Sequence, residues 1–178
     1  MTAARPFAAQ RYTLIEAAAG APEFALAPMT ADEAGMLGRD LAAIDPWARF
    51  GFDAARFTSF LATAEDGAVR FKILAGGDCA GAVVVRLPWL GGPYLNILGV
   101  LPAFQRRGIG AAALAWLEAE ARWAGARNIW LCVSAFNAGA RAFYERHGYQ
   151  PAAQLADLVM EGEDEVLMRK RLSRSGAA

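Results

Sequence analysis

The stretch Gln-Arg-Arg-Gly-Ile-Gly at positions 105–110 lies between an apolar run and an alanine-rich helical pattern. The run before it, 94–101, predicts a buried strand, and residues 108–124 carry apolar side chains at helical spacing. The first N–H groups of a helix have no partner within it and lie at the positive end of its dipole. Because Gly108 and Gly110 lack a Cβ, a ligand can approach the backbone there. The stretch therefore predicts an anion site suited to a diphosphate.

The composition indicates one domain. The chain has 178 residues, 56% of them hydrophobic, but no uninterrupted apolar run approaches the roughly 18–20 residues of a membrane span. The N-terminus has no continuous apolar segment typical of a signal peptide. Basic and acidic residues balance at 18 each, which argues against a nucleic-acid partner. We therefore expect a cytoplasmic protein with neither a membrane nor a nucleic-acid partner.

The residues that commonly bind metals are few. Cys79 and Cys132 stand outside any Cys-x-x-Cys or Cys/His cluster, and His147 is the only histidine. Free thiols in a reducing compartment are the natural interpretation, and no metal site is predicted.

Hydrophobic periodicity and capping signals predict the order β-α-α-β-β-β-α-β-α-β-β, an α/β (α+β) mixed sheet with helices on both faces. Thr30 and Glu33 have the spacing of a capping box, and Asp53 and Asn137 are further helix caps. The predicted strands are 24–28, 69–74, 82–87, 94–101, 128–133, 150–160 and 165–172. We expect a loosely ordered segment at 1–20, a single domain at 21–172 and a disordered tail at 173–178.

Two motifs together resemble the GNAT superfamily of N-acetyltransferases. One is Gln105-x-x-Gly108-x-Gly110 after the strand, and the other is the helix from Asn137 to Tyr144 in "NAGARAFYERHGY". The second half of the chain is most similar to the ribosomal-protein N-terminal alanine acetyltransferases. The resemblance implies acetyl-CoA as cosubstrate and a splayed central strand pair, with a bulge expected at Gly99.

The resemblance also implies particular cofactor contacts, with the glycine loop on the pyrophosphate and the preceding strand along the pantetheine. The expected cofactor-binding residues are Gly99, Val100, Leu101, Gln105, Arg106, Arg107, Gly108, Ile109, Gly110, Ala111, Asn137 and Tyr144. A competing nicotinamide dinucleotide site fits less well. The pattern Gly-x-Gly-x-x-Ala at 108–113 does not follow its strand directly, and the next strand ends at Ser134 without the carboxylate that binds ribose.

Tyr144 is the candidate catalytic residue. A tyrosine at this position in the family protonates the leaving thiolate of coenzyme A, so the resemblance gives Tyr144 the role of general acid. A phenol near pKa 10 can protonate a thiolate whose acid is near 8.5 at a modest cost that orientation offsets. The alternative is a core aromatic packed beside Phe143.

The general base does not follow from the resemblance. Cys132 occupies the position where the alanine acetyltransferases carry a glutamate, and Tyr94 another position where some relatives do. With no base on those strands, we expect an α-amine or another weakly basic acceptor, since at pH 7 a lysine amine costs about 3.5 kcal/mol more to deprotonate. A water relay, Asp157 or Glu161 are alternatives.

The predicted function is direct acetyl transfer from acetyl-CoA to a primary amine, either a protein N-terminus or a small molecule. The candidate acceptor residues are Trp47, Phe50, Tyr94 and Cys132, with Trp47 and Phe50 in an aromatic lid segment. The protein is expected to be a monomer or a homodimer. The alternatives are a non-catalytic acyl-CoA-binding module and, less well supported, a nicotinamide-dependent dehydrogenase.

Overall fold

One mixed sheet of eight strands organises the computed structural model, which describes residues 5–16 and 22–173. The strands are β1 (Tyr12–Ile15), β2 (Phe24–Ala27), β3 (Ala68–Ala75), β4 (Asp78–Trp89), β5 (Gly92–Val100), β6 (Asn128–Ser134), β7 (Gln150–Met160) and β8 (Glu163–Arg171). Their order is β1-β2-β3-β4-β5-β6-β8-β7, and all neighbouring pairs are antiparallel except β5 and β6. The predicted mixed sheet is confirmed.

Four helices cover the two faces of the sheet in the described part of the chain. They are α1 (Ala31–Ala42), α2 (Ala54–Ala62), α3 (Ile109–Trp123) and α4 (Ala138–Arg146), with a short 3-10 turn at Pro102–Phe104. Thr30 and Glu33 form the predicted capping box, and the Asp53 carboxylate caps α2. One core layer packs α3 on the sheet, and the other packs α1 and α2 on the opposite face.

The central strands β5 and β6 run parallel but pair over only two positions. Tyr94 pairs with Trp130 and Leu95 with Leu131, and beyond this point the strands diverge. The expected splay is confirmed, and it leaves the later half of β5 without a partner on that side. This gap between the strands is where a ligand can reach the backbone.

The expected bulge at Gly99 is wrong, because the bulge of β5 lies at Asn96. On β4, Val84 is opposite Ile97 and the next residue is opposite Leu95, so Asn96 is the extra residue. Leu95 consequently packs in the α3 layer and Ile97 in the α1–α2 layer, although regular alternation would put both on one face. Gly99 pairs regularly, and its missing Cβ makes room for Leu41 of α1.

The N-terminal segment differs from the expectation of loose order. Tyr12–Ile15 form β1 on the edge of the sheet, and the Phe7 side chain is only 3% exposed. The rings of Phe7 and Tyr12 both pack on Trp116 of α3, at centroid distances of 5.6 and 5.3 Å. Tertiary aromatic contacts therefore order a stretch with weak local patterning. The rest of the 1–20 segment, residues 1–4 and 17–20, and most of the expected tail, 174–178, lie outside the described residues.

Candidate active site

A cleft of about 290 Å³ opens where β5 and β6 diverge. Its walls come from the α1–α2 connection, β5, β6, α4 and the β7–β8 hairpin. Nine of the residues predicted from the sequence line it: Trp47, Phe50, Tyr94, Gly99, Val100, Gln105, Cys132, Asn137 and Tyr144. The other predicted cofactor residues, 101 and 106–111, continue from the Gln105 end of the cleft.

The backbone of β5 supplies donors to the cleft. The N–H of Leu101 donates to the Ala80 carbonyl on the β4 side, at 2.9 Å. Because N–H groups alternate along a strand, those of Val100 and Leu98 are turned toward the gap left by β6. Leu101 is a predicted cofactor contact, but its amide N–H is already bonded to Ala80 and is not available to a ligand. The Gln105 side chain donates to the Val100 carbonyl at 2.9 Å and ties the following loop to the strand.

The N-terminus of α3 has the features of an anion site. Gly108 is its N-cap at φ 86°, and no side chain caps the helix. Within the described part of the chain, the amides of residues 108–111 donate no hydrogen bond. A Cβ added at Gly108 would meet nothing within 4 Å, so the space around Gly108 is open. Four free amides at the positive end of a 15-residue helix suit a phosphate group.

Side chains around these amides have separate structural roles. Ile109 is 1% exposed and packs in the core, so its side chain takes no part in contacting a ligand. A Cβ at Gly110 would lie 3.1 Å from the Phe143 ring. Close packing against Phe143 is therefore the reason that the second position of the motif is a glycine. Arg106 adopts φ 59°, and the Arg107 guanidinium lies 5.5 Å from the centre of the Phe104 ring. Both arginines flank the free amides.

Tyr144 lies in the cleft on α4. The Asn137 carboxamide caps this helix by accepting from the Ala140 amide at 3.0 Å, and Asn137 itself lines the cleft. Burial raises the pKa of the Tyr144 phenol well above its ordinary value of 10. The phenol therefore keeps its proton throughout the neutral pH range. Its ring packs edge-on against Tyr149 at 5.8 Å, which holds its position.

Cys132 and Tyr94 line the cleft side by side, with their thiol and hydroxyl within hydrogen-bonding reach. Burial is the main cause that raises the pKa of both groups, so both are neutral at pH 7. A neutral thiol is a weak nucleophile. His147, its potential activating base, does not line the cleft, and its Nδ1 lies 2.8 Å from the Phe143 carbonyl.

The sequence did not indicate the buried carboxylate of the site, Glu165 on β8. It pairs directly with Ser134 of β6 and lines the cleft, yet the residue is only 5% exposed. The available signal was the period-two pattern of the last strand, but the pattern does not reveal which strand lies opposite. Burial raises the pKa of Glu165, and the Ser134 hydroxyl opposes this shift. Its Oε1 atom has no hydrogen-bond partner.

The charged side chains that line the cleft, among the described residues, are the two carboxylates of Asp45 and Glu165. No lysine, arginine or histidine lines it there. Such a chamber favours a cationic or proton-donating ligand and disfavours an anionic one. The phosphate-ready amides of α3 and this acidic chamber therefore lie at different ends of one site.

The α1–α2 connection covers one side of the cleft with Trp47, Phe50 and Phe52. Arg49 in this connection pairs with Glu163 at the start of β8, at 2.5 Å. Its guanidinium also lies 4.1 Å from the centre of the Phe136 ring. The predicted aromatic segment thus forms one wall of the cleft and is held to the opposite wall.

No helix in the described ranges is long and apolar enough to cross a membrane. Residues 5–16 and 22–173 also contain no group of three His, Cys, Asp or Glu side chains that could hold a metal ion.

Comparison with known proteins places the chain among acetyltransferases. Residues 38–149 match the model of the acetyltransferase (GNAT) family. No curated protein gives a significant match. Three similar solved structures share the fold. The ribosomal-protein-S18-alanine N-acetyltransferase of Escherichia coli is 23% identical, with a TM-score of 0.67 over 86% of this chain and 97% of that one.

The other two are more distant in sequence. NAA60 of Arabidopsis thaliana, in complex with a bisubstrate analogue, is 17% identical, with a TM-score of 0.64 over 84% of this chain and 99% of that one. The PaiA N-acetyltransferase of Thermoplasma acidophilum, in complex with coenzyme A, is 15% identical, with a TM-score of 0.63 over 84% and 99%.

Proposed function

The chain belongs to the GNAT acetyltransferase family, and from this premise we propose that it transfers the acetyl group of acetyl-CoA directly to a primary amine. The observation that carries the proposal is the polarity of the site. Free helix amides lie at one end, and a chamber whose charged lining groups are carboxylates lies at the other. The first suits a phosphate-bearing donor and the second suits an ammonium acceptor.

The donor would lie along the splay. Its pyrophosphate would accept from the amides of residues 108–111, with Arg106 and Arg107 beside it. Its pantetheine arm would lie in the gap, where Val100 and Leu98 present their N–H groups. Hydrogen bonds from these N–H groups to the arm would replace those that β6 would otherwise accept. The arm would thus complete the open edge of β5.

The chemistry is an attack of the amine nitrogen on the thioester carbonyl in a ternary complex. An N–H of β5 in the gap polarises that carbonyl and stabilises the oxyanion. The Tyr144 phenol protonates the departing thiolate. Its raised pKa makes it a weaker acid in the empty cleft, so the advantage comes from its fixed position beside the sulfur rather than from acidity.

The acceptor would enter beneath the aromatic wall of Trp47, Phe50 and Phe52. Aromatic rings accommodate the apolar part of an amine and interact favourably with its charge. The acceptor is either a protein N-terminal α-amine or a small primary amine. The E. coli neighbour is named for a protein alanine acceptor, which supports testing N-terminal peptides first.

Two measurements on the same purified protein test the proposal. Acetyl-CoA at 100 times its dissociation constant should add about 2.7 kcal/mol to the free energy of unfolding, and NADH at the same concentration should add nothing. A thiol-release assay then screens alanine-initiated peptides and alkylamines. Stabilisation without release would support a non-catalytic acyl-CoA-binding module, and stabilisation by NADH alone would support the dehydrogenase.

A further inference from the structure

The cleft contains one buried carboxylate to which the acetyl transfer described above gives no role. Glu165 lines the cleft but is only 5% exposed, and its buried Oε1 atom has no hydrogen-bond partner. A buried, unpaired carboxylate oxygen is costly, and most such groups in proteins are satisfied. This oxygen is therefore expected to meet a donor that is present only in the substrate complex.

The register of the sheet aims this carboxylate at the reaction chamber. Glu165 lies directly opposite Ser134, and residues opposite each other in an antiparallel pair share a face. That face also carries Cys132, which is two residues from Ser134 on β6. The Ser134 hydroxyl is within hydrogen-bonding reach of the carboxylate, so one oxygen is held and the other is free.

We propose that Glu165 is the general base that removes a proton from the acceptor ammonium, an inference that rests on the proposed amine acetylation. The carboxylate reaches the chamber from β8. It thus supplies the function that neither Cys132 nor Tyr94 can perform, since both are neutral at pH 7.

The proton inventory of the step is complete. The ammonium gives one proton to Glu165, which releases it to solvent, and the neutral amine attacks the thioester carbonyl. A C–N bond forms, the C–S bond breaks, and the leaving sulfur takes the phenolic proton of Tyr144. The second proton lost by nitrogen restores Tyr144 through solvent. The products are the amide, coenzyme A thiol and one free proton.

The electrostatics of the chamber suit a base. The titratable groups that line the cleft with Glu165 are Tyr94 of β5, Cys132 of β6 and Tyr144 of α4, all neutral at pH 7, and Asp45 of the α1–α2 connection, which adds negative charge. Burial raises the pKa of Glu165 toward the working pH, which makes it a stronger base than an exposed carboxylate. A base in the chamber also removes the need for a weakly basic acceptor.

The test compares kcat/KM across pH 5.5 to 9.5 for the wild type, Glu165→Gln and the control Asp164→Asn. Asp164 precedes Glu165 on the same strand, and its carboxylate bonds Gln154 instead of lining the cleft. The probes are an alanine-initiated peptide and butylamine. At pH 7 Glu165→Gln should lose about 10²–10⁴-fold, and its acidic limb should move to the pKa of the acceptor amine itself. The loss should shrink at high pH, where the amine is already free.

Two further results separate the base from a structural role. Acetyl-CoA should stabilise Glu165→Gln as much as the wild type, and Asp164→Asn should keep wild-type kinetics. Ser134→Ala should move the acidic limb to higher pH, because the lost hydroxyl no longer stabilises the carboxylate.

Each contrary outcome has a distinct meaning. An unchanged acidic limb in Glu165→Gln, with either probe, would overturn the base assignment and leave the acetyl transfer intact. A wild type that binds acetyl-CoA yet acetylates neither probe would overturn the amine acetylation, and the base with it.

Discussion

The two ends of the cleft are built in different ways. At the proposed donor end, the candidate anion site consists of four consecutive backbone amides at residues 108–111, which come from a single strand–loop–helix segment. At the acceptor end, Tyr94, Cys132, Tyr144 and Glu165 come from four different elements. A backbone site needs only local conformation, whereas a side-chain site needs the register of the whole sheet. A short sequence motif can therefore predict the backbone site, but it cannot predict the side-chain site.

The same difference separates binding from chemistry. Backbone amides at a helix N-terminus recognise a phosphate whatever the acceptor. Substitutions of side chains at the acceptor end therefore leave the backbone amides of the donor end in place. Variants at the two ends should accordingly affect different kinetic constants.

The largest expected effect is at the acceptor end, for Tyr144→Phe. Loss of the phenolic proton should lower kcat by about 10²–10⁴-fold while the affinity for acetyl-CoA stays within about twofold, because the ring remains. Steady-state kinetics with the accepted amine, together with calorimetry of acetyl-CoA binding, measures both. Wild-type turnover in this variant would reduce Tyr144 to a packing residue and remove the contrast between the two ends.

The next effect is at the donor end, for Gly108→Val with Gly125→Val as its matched control. Both glycines have positive φ, at +86° and +70°, and open space around them, and they flank the two ends of α3. Each variant should lose about 1–3 kcal/mol of stability through backbone strain. Only Gly108→Val should also weaken acetyl-CoA binding, by tenfold or more. Equal acetyl-CoA affinity in the two variants would place the phosphates elsewhere.

A smaller effect is expected for Arg49→Ala in the aromatic wall. Its half-exposed ion pair with Glu163 contributes about 0.2–1 kcal/mol, so the melting temperature should change little. The KM for the amine should rise a fewfold through a looser wall, with unchanged acetyl-CoA affinity. A weaker affinity for acetyl-CoA would show that the wall belongs to the donor end as well.

The smallest effect is on stability, for Glu165→Gln. Burial raises the folded-state pKa of this carboxyl above 4.5, so the folded protein binds the proton more tightly than the unfolded chain. Stability is then lost as pH rises from about 4.5 through the folded pKa, and the loss persists at pH 7. The variant should therefore melt higher than the wild type at pH 7, with the gain vanishing below about pH 4.5. A lower melting temperature at pH 7 would mean that the carboxylate stabilises the fold.

Local signals in the sequence predict most of the order of helices and strands. They also predict the free amides of the proposed donor end. The capping box at Thr30, the caps at Asp53 and Asn137 and the helical spacing after Gly108 act within one or two turns of chain. Such short-range interactions can be predicted from neighbouring residues. The free amides of α3 can be predicted in the same way, because the first N–H groups of any helix have no partner within it.

Only the tertiary structure decided β1, the bulge and Glu165. Strand β1 depends on Tyr12 and Phe7 packing on Trp116, more than 100 residues away. The bulge at Asn96 depends on the register with β4, and Glu165 enters the site because β8, not β7, lies beside β6. Strand pairing joins residues that are distant in the chain, so local patterning carries no record of which residues lie opposite each other. The sequence by itself predicted the backbone amides that we propose for the donor, and the pairing of the sheet decided which carboxylate lies in the cleft.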